Sequence, residues 1–98
     1  MAEITITLEE SETKGRYVAQ VAGFDEPAEL TFSRAGQTMI IVDHTGVPDS
    51  LRGQGVGAAL AAKVVADARD KGLRIMPLCP FFKAQAQRHP EWSDVVQG

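Results

Sequence analysis

Cysteine is almost missing from this chain. Cys79 is the only one in 98 residues, so no internal disulfide can form, and a reducing, cytoplasmic setting is expected. Positive charge is not in excess either. Ten Lys and Arg against thirteen Asp and Glu leave a net charge of −3, which gives no electrostatic reason to expect nucleic acid as a partner. No apolar run is long enough to span a bilayer, and no secretory signal is read at the start, so no membrane partner is expected. The two histidines and one cysteine lack a ligand spacing, so no metal site is expected. No repeat, low-complexity tract or linker breaks the chain. With 44% hydrophobic and 23% charged residues, it reads as one soluble domain, residues 1–98, with a modest core.

What is present begins with short apolar alternations. Ile4, Ile6 and Leu8 alternate with Glu3, Thr5, Thr7 and Glu9, the pattern of a half-buried strand. Residues 10–15 are charged and turn-forming. Residues 16–22 predict a second strand with Tyr17, Val18 and Val21. Residues 28–33 predict a third with Leu30 and Phe32 on one face. Residues 38–42 predict a fourth, more continuously apolar strand, as suits a central position. The short spacings predict an antiparallel meander. Asp43, His44, Thr45 and Gly46 follow, a polar group where a strand leaves the core and a site can form. Gly46 permits a bulge, and Pro48 cannot donate to a sheet ladder.

The alanine-rich run 55–71 predicts the main helix. Val56, Leu60, Val64 and Ala68 form its buried stripe, and Gly72 its end. Residues 73–78 predict a fifth strand, parallel to the fourth by a right-handed crossover. Residues 81–89 predict a short last helix, with Pro80 in its first turn and Pro90 stopping it. Trp92, Val95 and Val96 read as a tail packed back on the body.

The junction between the fourth strand and the main helix carries the chemistry. Gly53, Gly55 and Gly57 alternate at the helix start, where glycine costs entropy. Close approach of backbone to a ligand would repay that cost. The free N–H groups of a first helical turn, the helix dipole and Arg52 together suit an anion. A nucleotide P-loop is excluded, since no Gly-x-x-x-x-Gly-Lys-Ser/Thr string exists. A permissive dinucleotide fingerprint fits as Gly53-x-Gly55-x-x-Ala58, but the acidic residue it needs after the next strand is absent.

The string Arg52-Gly53-Gln54-Gly55-Val56-Gly57 instead resembles the pyrophosphate loop of the GCN5-related N-acetyltransferases. Further matching pieces are His44-Thr45, Val47-Pro48, Pro77-x-Cys79 and His89-Pro90-x-Trp92. In order and spacing they resemble a small branch of that superfamily, the YjdJ-type N-acetyltransferase-like domains, over nearly the whole chain. The resemblance implies an α+β fold: a twisted, mostly antiparallel sheet with one parallel strand–helix–strand unit and a short C-terminal helix. It also implies acetyl-coenzyme A as cosubstrate. Its pyrophosphate would lie on the backbone of residues 53–57, and its pantetheine arm would pair along Thr45 to Val47. The thioester would then lie between His44 and Cys79, with Phe81, Phe82 and Lys83 flanking the cosubstrate. The helical segment that larger relatives carry between their first two strands has no counterpart here, which implies an open, shallow acceptor site.

Cys79 and His44 are the candidate catalytic residues. A thiol at a helix start is favoured as thiolate and could accept the acetyl group or protonate the departing coenzyme A. His44 is of a type that titrates near neutrality and could act as a base. His89, before a proline at a helix end, reads as structural. The function so implied is acetyl-CoA-dependent transfer to an amine: a small molecule, a protein terminus or a lysine side chain. The alternative is a non-catalytic coenzyme A-binding or interaction module. A monomer is expected, or a weak homodimer through the exposed first strand.

Overall fold

The computed structural model describes residues 3–97. Four strands, β1 (Ile4–Glu10), β2 (Lys14–Val21), β3 (Ala28–Ala35) and β4 (Met39–Gly46), form an antiparallel meander. A 3₁₀ turn (Asp49–Leu51) leads into helix α1 (Val56–Lys71), which returns the chain to β5 (Arg74–Pro77), parallel to β4. The sheet order is β1-β2-β3-β4-β5. Helix α2 (Pro80–Gln87) and a second 3₁₀ turn (Pro90–Asp94) close the described chain.

One face of the sheet carries the core. Tyr17, Leu30, Phe32, Ile40, Val42 and Ile75 lie there under α1, which buries Val56, Leu60, Val64 and Ala68 as a stripe repeating every four residues. Alanine at neighbouring positions favours the helix and lets it approach the sheet closely. Gly72 ends α1 in the left-handed conformation at φ 72°, and its N–H bonds back to the carbonyls of Ala68 and Arg69. Tyr17 is buried with its hydroxyl donating to Asp67 on α1 at 2.8 Å. The hydroxyl loses water and faces a carboxylate, and both effects push its pKa up, desolvation most.

The other face, carrying Arg16, Thr31, Ser33, Ile41 and His44, is turned away from α1. It is held by polar pairs, with Arg16 donating to Glu9 at 2.9 Å and to Glu29 at 3.1 Å.

Some elements differ from the sequence expectation. β2 starts at Lys14, because Ser11 and Lys14 close a tight connection through their backbones. β4 continues past Val42 to Gly46, so the polar group lies within a strand and not after one. The tail does more than fill the core. Val96 makes a parallel bridge to Ile75, with Ile75 N–H donating to Val95 and Gln97 N–H to Ile75, so it lies along the outer edge of β5. That pairing could not be read from a segment with only two adjacent apolar residues, Val95 and Val96, between polar neighbours.

Candidate functional site

The β4–β5 ladder runs from Met39 beside Arg74 to Val42 beside Pro77 and then stops. Proline has no N–H to extend it. The amides of Leu78 and Cys79 both turn onto the Val42 carbonyl, each at 3.0 Å, and the chain leaves the sheet. β4 runs on to Gly46 with β3 on one side and no strand on the other. An extended ligand with amides of its own can pair with such an edge.

A β-bulge sets what this stretch presents. Phe32 faces Val42 and Thr31 faces His44, so Asp43 has no partner in the ladder. Strict alternation would turn His44 toward the core with Ile40 and Val42. The extra residue instead leaves both Asp43 and His44 exposed, with His44 on the open face beside Thr31, and returns Thr45 to the core side beside Leu30. Asp43 is fixed by hydroxyls donated from Thr31 and, at 3.0 Å, from Ser33. Gly46 leaves room for the His44 ring, since a Cβ there would meet its Nε2 at 3.2 Å.

Thr45 and Cys79 meet where the ladder ends. The Cys79 thiol donates to Thr45 Oγ1 at 3.4 Å, and the residue is only 3% exposed. Cys79 is also the N-cap of α2, with Pro80 at the first helical position. His44 does not join them. One step along a strand reverses side-chain direction, so the ring lies on the opposite face from Thr45 and its thiol partner. The two candidate catalytic residues, His44 and Cys79, thus stand on opposite faces at the end of the ladder.

The glycine loop leaves its backbone open to its surroundings. Leu51 is buried and anchors the 3₁₀ turn before it. Gly53 at φ 80° and Gly55 at φ 75° hold left-handed conformations, and a Cβ on either would meet nothing within 4 Å. The backbone there turns toward open space. Gly55 is the N-cap of α1 and supplies no capping side chain, and no acidic residue lies in the first turn. The leading N–H groups and the positive end of the dipole are thus available to an anion. Arg52 stands exposed beside them, 3.3 Å from Asp49. Gln54 is exposed in the same loop, and Val47 is half-buried where β4 leads into it.

The third glycine has another reason. Gly57 is buried, and a Cβ on it would lie 2.5 Å from Cζ of Phe81. It admits the Phe81 ring against the first turn of α1. Phe81 is 38% exposed and borders the loop, whereas Phe82 is 0% exposed and packs parallel to Trp92 at 6.4 Å. Phe82, expected to flank the cosubstrate, is a core residue, because α2 turns it inward. Val56 is likewise buried as a side chain and can offer only its backbone. The contact of Phe81 with Gly57 was not among the expectations for Phe81, although a glycine inside an alanine-rich helix was a signal that a bulky neighbour crosses there. Among the described residues, no group of three or more His, Cys, Asp or Glu side chains could hold a metal. No helix among them is long and apolar enough to cross a membrane.

The family model of the GCN5-related N-acetyl-transferases matches residues 16–95. A solution NMR structure of a GCN5-like chain from Staphylococcus aureus is 36% identical, with a TM-score of 0.68, covering 94% of this chain and 88% of that one. Protein NATD1 of Bos taurus is 24% identical over 85 residues, 87% of this chain and 75% of the relative. The family-model span runs from β2 through β4 and takes in the glycine loop, both helices and Cys79, and the chain belongs to the GCN5-related N-acetyltransferase family.

Proposed function

We propose that this protein transfers an acetyl group from acetyl-coenzyme A to an amine. The observation that carries the reading is the adjacency of an uncapped helix start, Gly53 to Gly57, and a strand edge left open beyond Val42. A diphosphate suits the first and an amide-bearing arm suits the second. Arg52 adds a mobile positive charge at the pyrophosphate end. Thr45 and Val47 border the arm, and Phe81 covers one side of the loop.

On this reading the two faces of the sheet divide the work. Cys79 and Thr45 stand on the core side of the opening. His44 stands on the open side, from which an acceptor without a covering helix can approach. The amine nitrogen attacks the thioester carbonyl, its N–C bond forms, and the C–S bond breaks. His44 accepts the proton that the amine loses, and coenzyme A leaves as its thiol after gaining a proton. Cys79 is the group at the sulfur end, as the donor of that proton or as an intermediate carrier of the acetyl group.

The test is release of free thiol from acetyl-CoA, with and without a panel of amines, together with calorimetric binding of coenzyme A. Amine-dependent release supports the reading. Binding without turnover across the panel would identify a non-catalytic coenzyme A-binding module, and absence of both would leave only a structural domain.

A further inference from the structure

A hollow beside β5 is separate from the glycine loop. A cavity of about 570 Å³ opens between β5, α2 and the segment that follows α2. Met76, Pro77, Ala86, Trp92 and Val96 give it a mainly apolar wall. Its size falls in the range of small-molecule sites, roughly 300–1,000 Å³.

Its position relates it to the opening of the sheet. Pro77 makes the last pair of the β4–β5 ladder and also lines the cavity, so the hollow begins where the strands part. Met76 pairs with Ile41 on the face that carries His44, away from buried Ile75. Helix α2 separates the cavity from the loop. Phe81 leans on Gly57, whereas Lys83 and Ala86 line the cavity, about 200° and 140° further round the helix. The apolar wall continues outward, since Met76 is 37% exposed and Leu78 61%. One polar group is held in place at the wall. The His89 ring stacks on Trp92 at 4.2 Å, and its Nδ1 is 2.9 Å from a Glu91 carboxylate oxygen. The sequence reading of His89 as a purely structural helix-end residue did not anticipate this exposure to a cavity.

We propose that this cavity is the acceptor pocket, and that the acceptor is a small primary amine on an apolar body, aromatic or branched aliphatic. The proposal rests on the acetyl-transfer reading above. The apolar body fills the hollow and directs the amine past Pro77 toward the gap between β4 and β5. A long polycation gains nothing from the apolar wall and meets Lys83 at the mouth.

Transfer rates are to be compared for 2-phenylethylamine and isoamylamine against 2-aminoethanol, spermidine and a lysine peptide. At least a tenfold higher kcat/KM is expected for the first two. Gln87→Trp, on α2, and Ser93→Trp, in the segment after it, should each raise KM for 2-phenylethylamine at least tenfold and leave coenzyme A affinity, read by calorimetry, unchanged. Independently of turnover, the methyl NMR signal of Met76 should move when 2-phenylethylamine is added, and this shift should be lost in both Trp variants. A preference for polar amines, unchanged KM in both variants, or an unmoved Met76 signal overturns the proposal. Transfer without the cavity effects leaves the acetyl-transfer reading standing and removes only the pocket. Loss of coenzyme A binding and of all transfer removes that reading, and the acceptor role of the cavity with it.

Discussion

Gly57 in the first turn of α1 and Phe81 in the first turn of α2 occupy one another's space: a Cβ on the glycine would come within 2.5 Å of the ring's Cζ. The contact braces the two helix starts at the border of the glycine loop. Gly57→Ala should destabilise the protein by about 1–3 kcal/mol, the usual cost of overpacking, despite the better helix propensity of alanine. Phe81→Ala removes the clash, so adding Gly57→Ala to it should cost far less than in the wild type. Urea midpoints of the four proteins check this. Equal effects of Gly57→Ala in both backgrounds would show that the ring is not what requires the glycine.

Tyr17 and Asp67 predict a pH dependence. The folded protein holds the Tyr17 proton more tightly than the unfolded chain does, because burial and the Asp67 carboxylate both disfavour the phenolate. The resulting stability is therefore complete below the unfolded value of about 10 and is lost as pH rises above it. Tyr17→Phe should cost roughly 1–3 kcal/mol at neutral pH and remove that alkaline component. Thermal unfolding of both proteins between pH 7 and 11 would test it. Parallel curves above pH 10 would contradict the assignment.

The Cys79–Thr45 contact predicts a kinetic signature. Cys79→Ala should fold, bind coenzyme A and lose at least about tenfold in kcat, some 1.4 kcal/mol of transition-state stabilisation. Intact-mass measurement of the wild type after acetyl-CoA then separates the routes. An acetyl group on Cys79 that transfers to amine as fast as turnover identifies a covalent carrier. An unmodified thiol identifies a proton donor. A folded Cys79→Ala that turns over at the wild-type rate removes the residue from the chemistry.

Much of this was legible in the chain itself. Period-two alternation gave β1 to β3, and the alanine run with Val56, Leu60 and Val64 gave α1 and its buried side. The glycine string marked the loop because glycine at a helix start is costly and needs a cause. What escaped was whatever depends on a single residue's displacement. The bulge at Asp43 leaves no trace in composition, yet it decides that His44 faces outward and Thr45 toward Cys79. Adjacent phenylalanines give no sign of which one α2 will bury, and the choice fell on Phe82. The cavity beside β5 is lined from residues 76–97 alone, but it exists only because α2 and the tail fold back beside the strand, which no periodicity in that stretch announces.

The central claim is that the Gly53–Gly57 loop holds the pyrophosphate of coenzyme A, and calorimetric titration of Gly55→Val tests it most directly. Gly55 has φ 75° with open space around its Cβ position, so valine adds backbone strain of about 1–2 kcal/mol and places a side chain where the anion must approach. Gly23, at φ 87° and equally open, lies in the β2–β3 connection, outside the loop, and Gly23→Val supplies the matched control for strain. The account predicts that both variants fold, that Gly23→Val binds coenzyme A as the wild type does, and that Gly55→Val binds at least about tenfold more weakly. Unchanged affinity in folded Gly55→Val would contradict it.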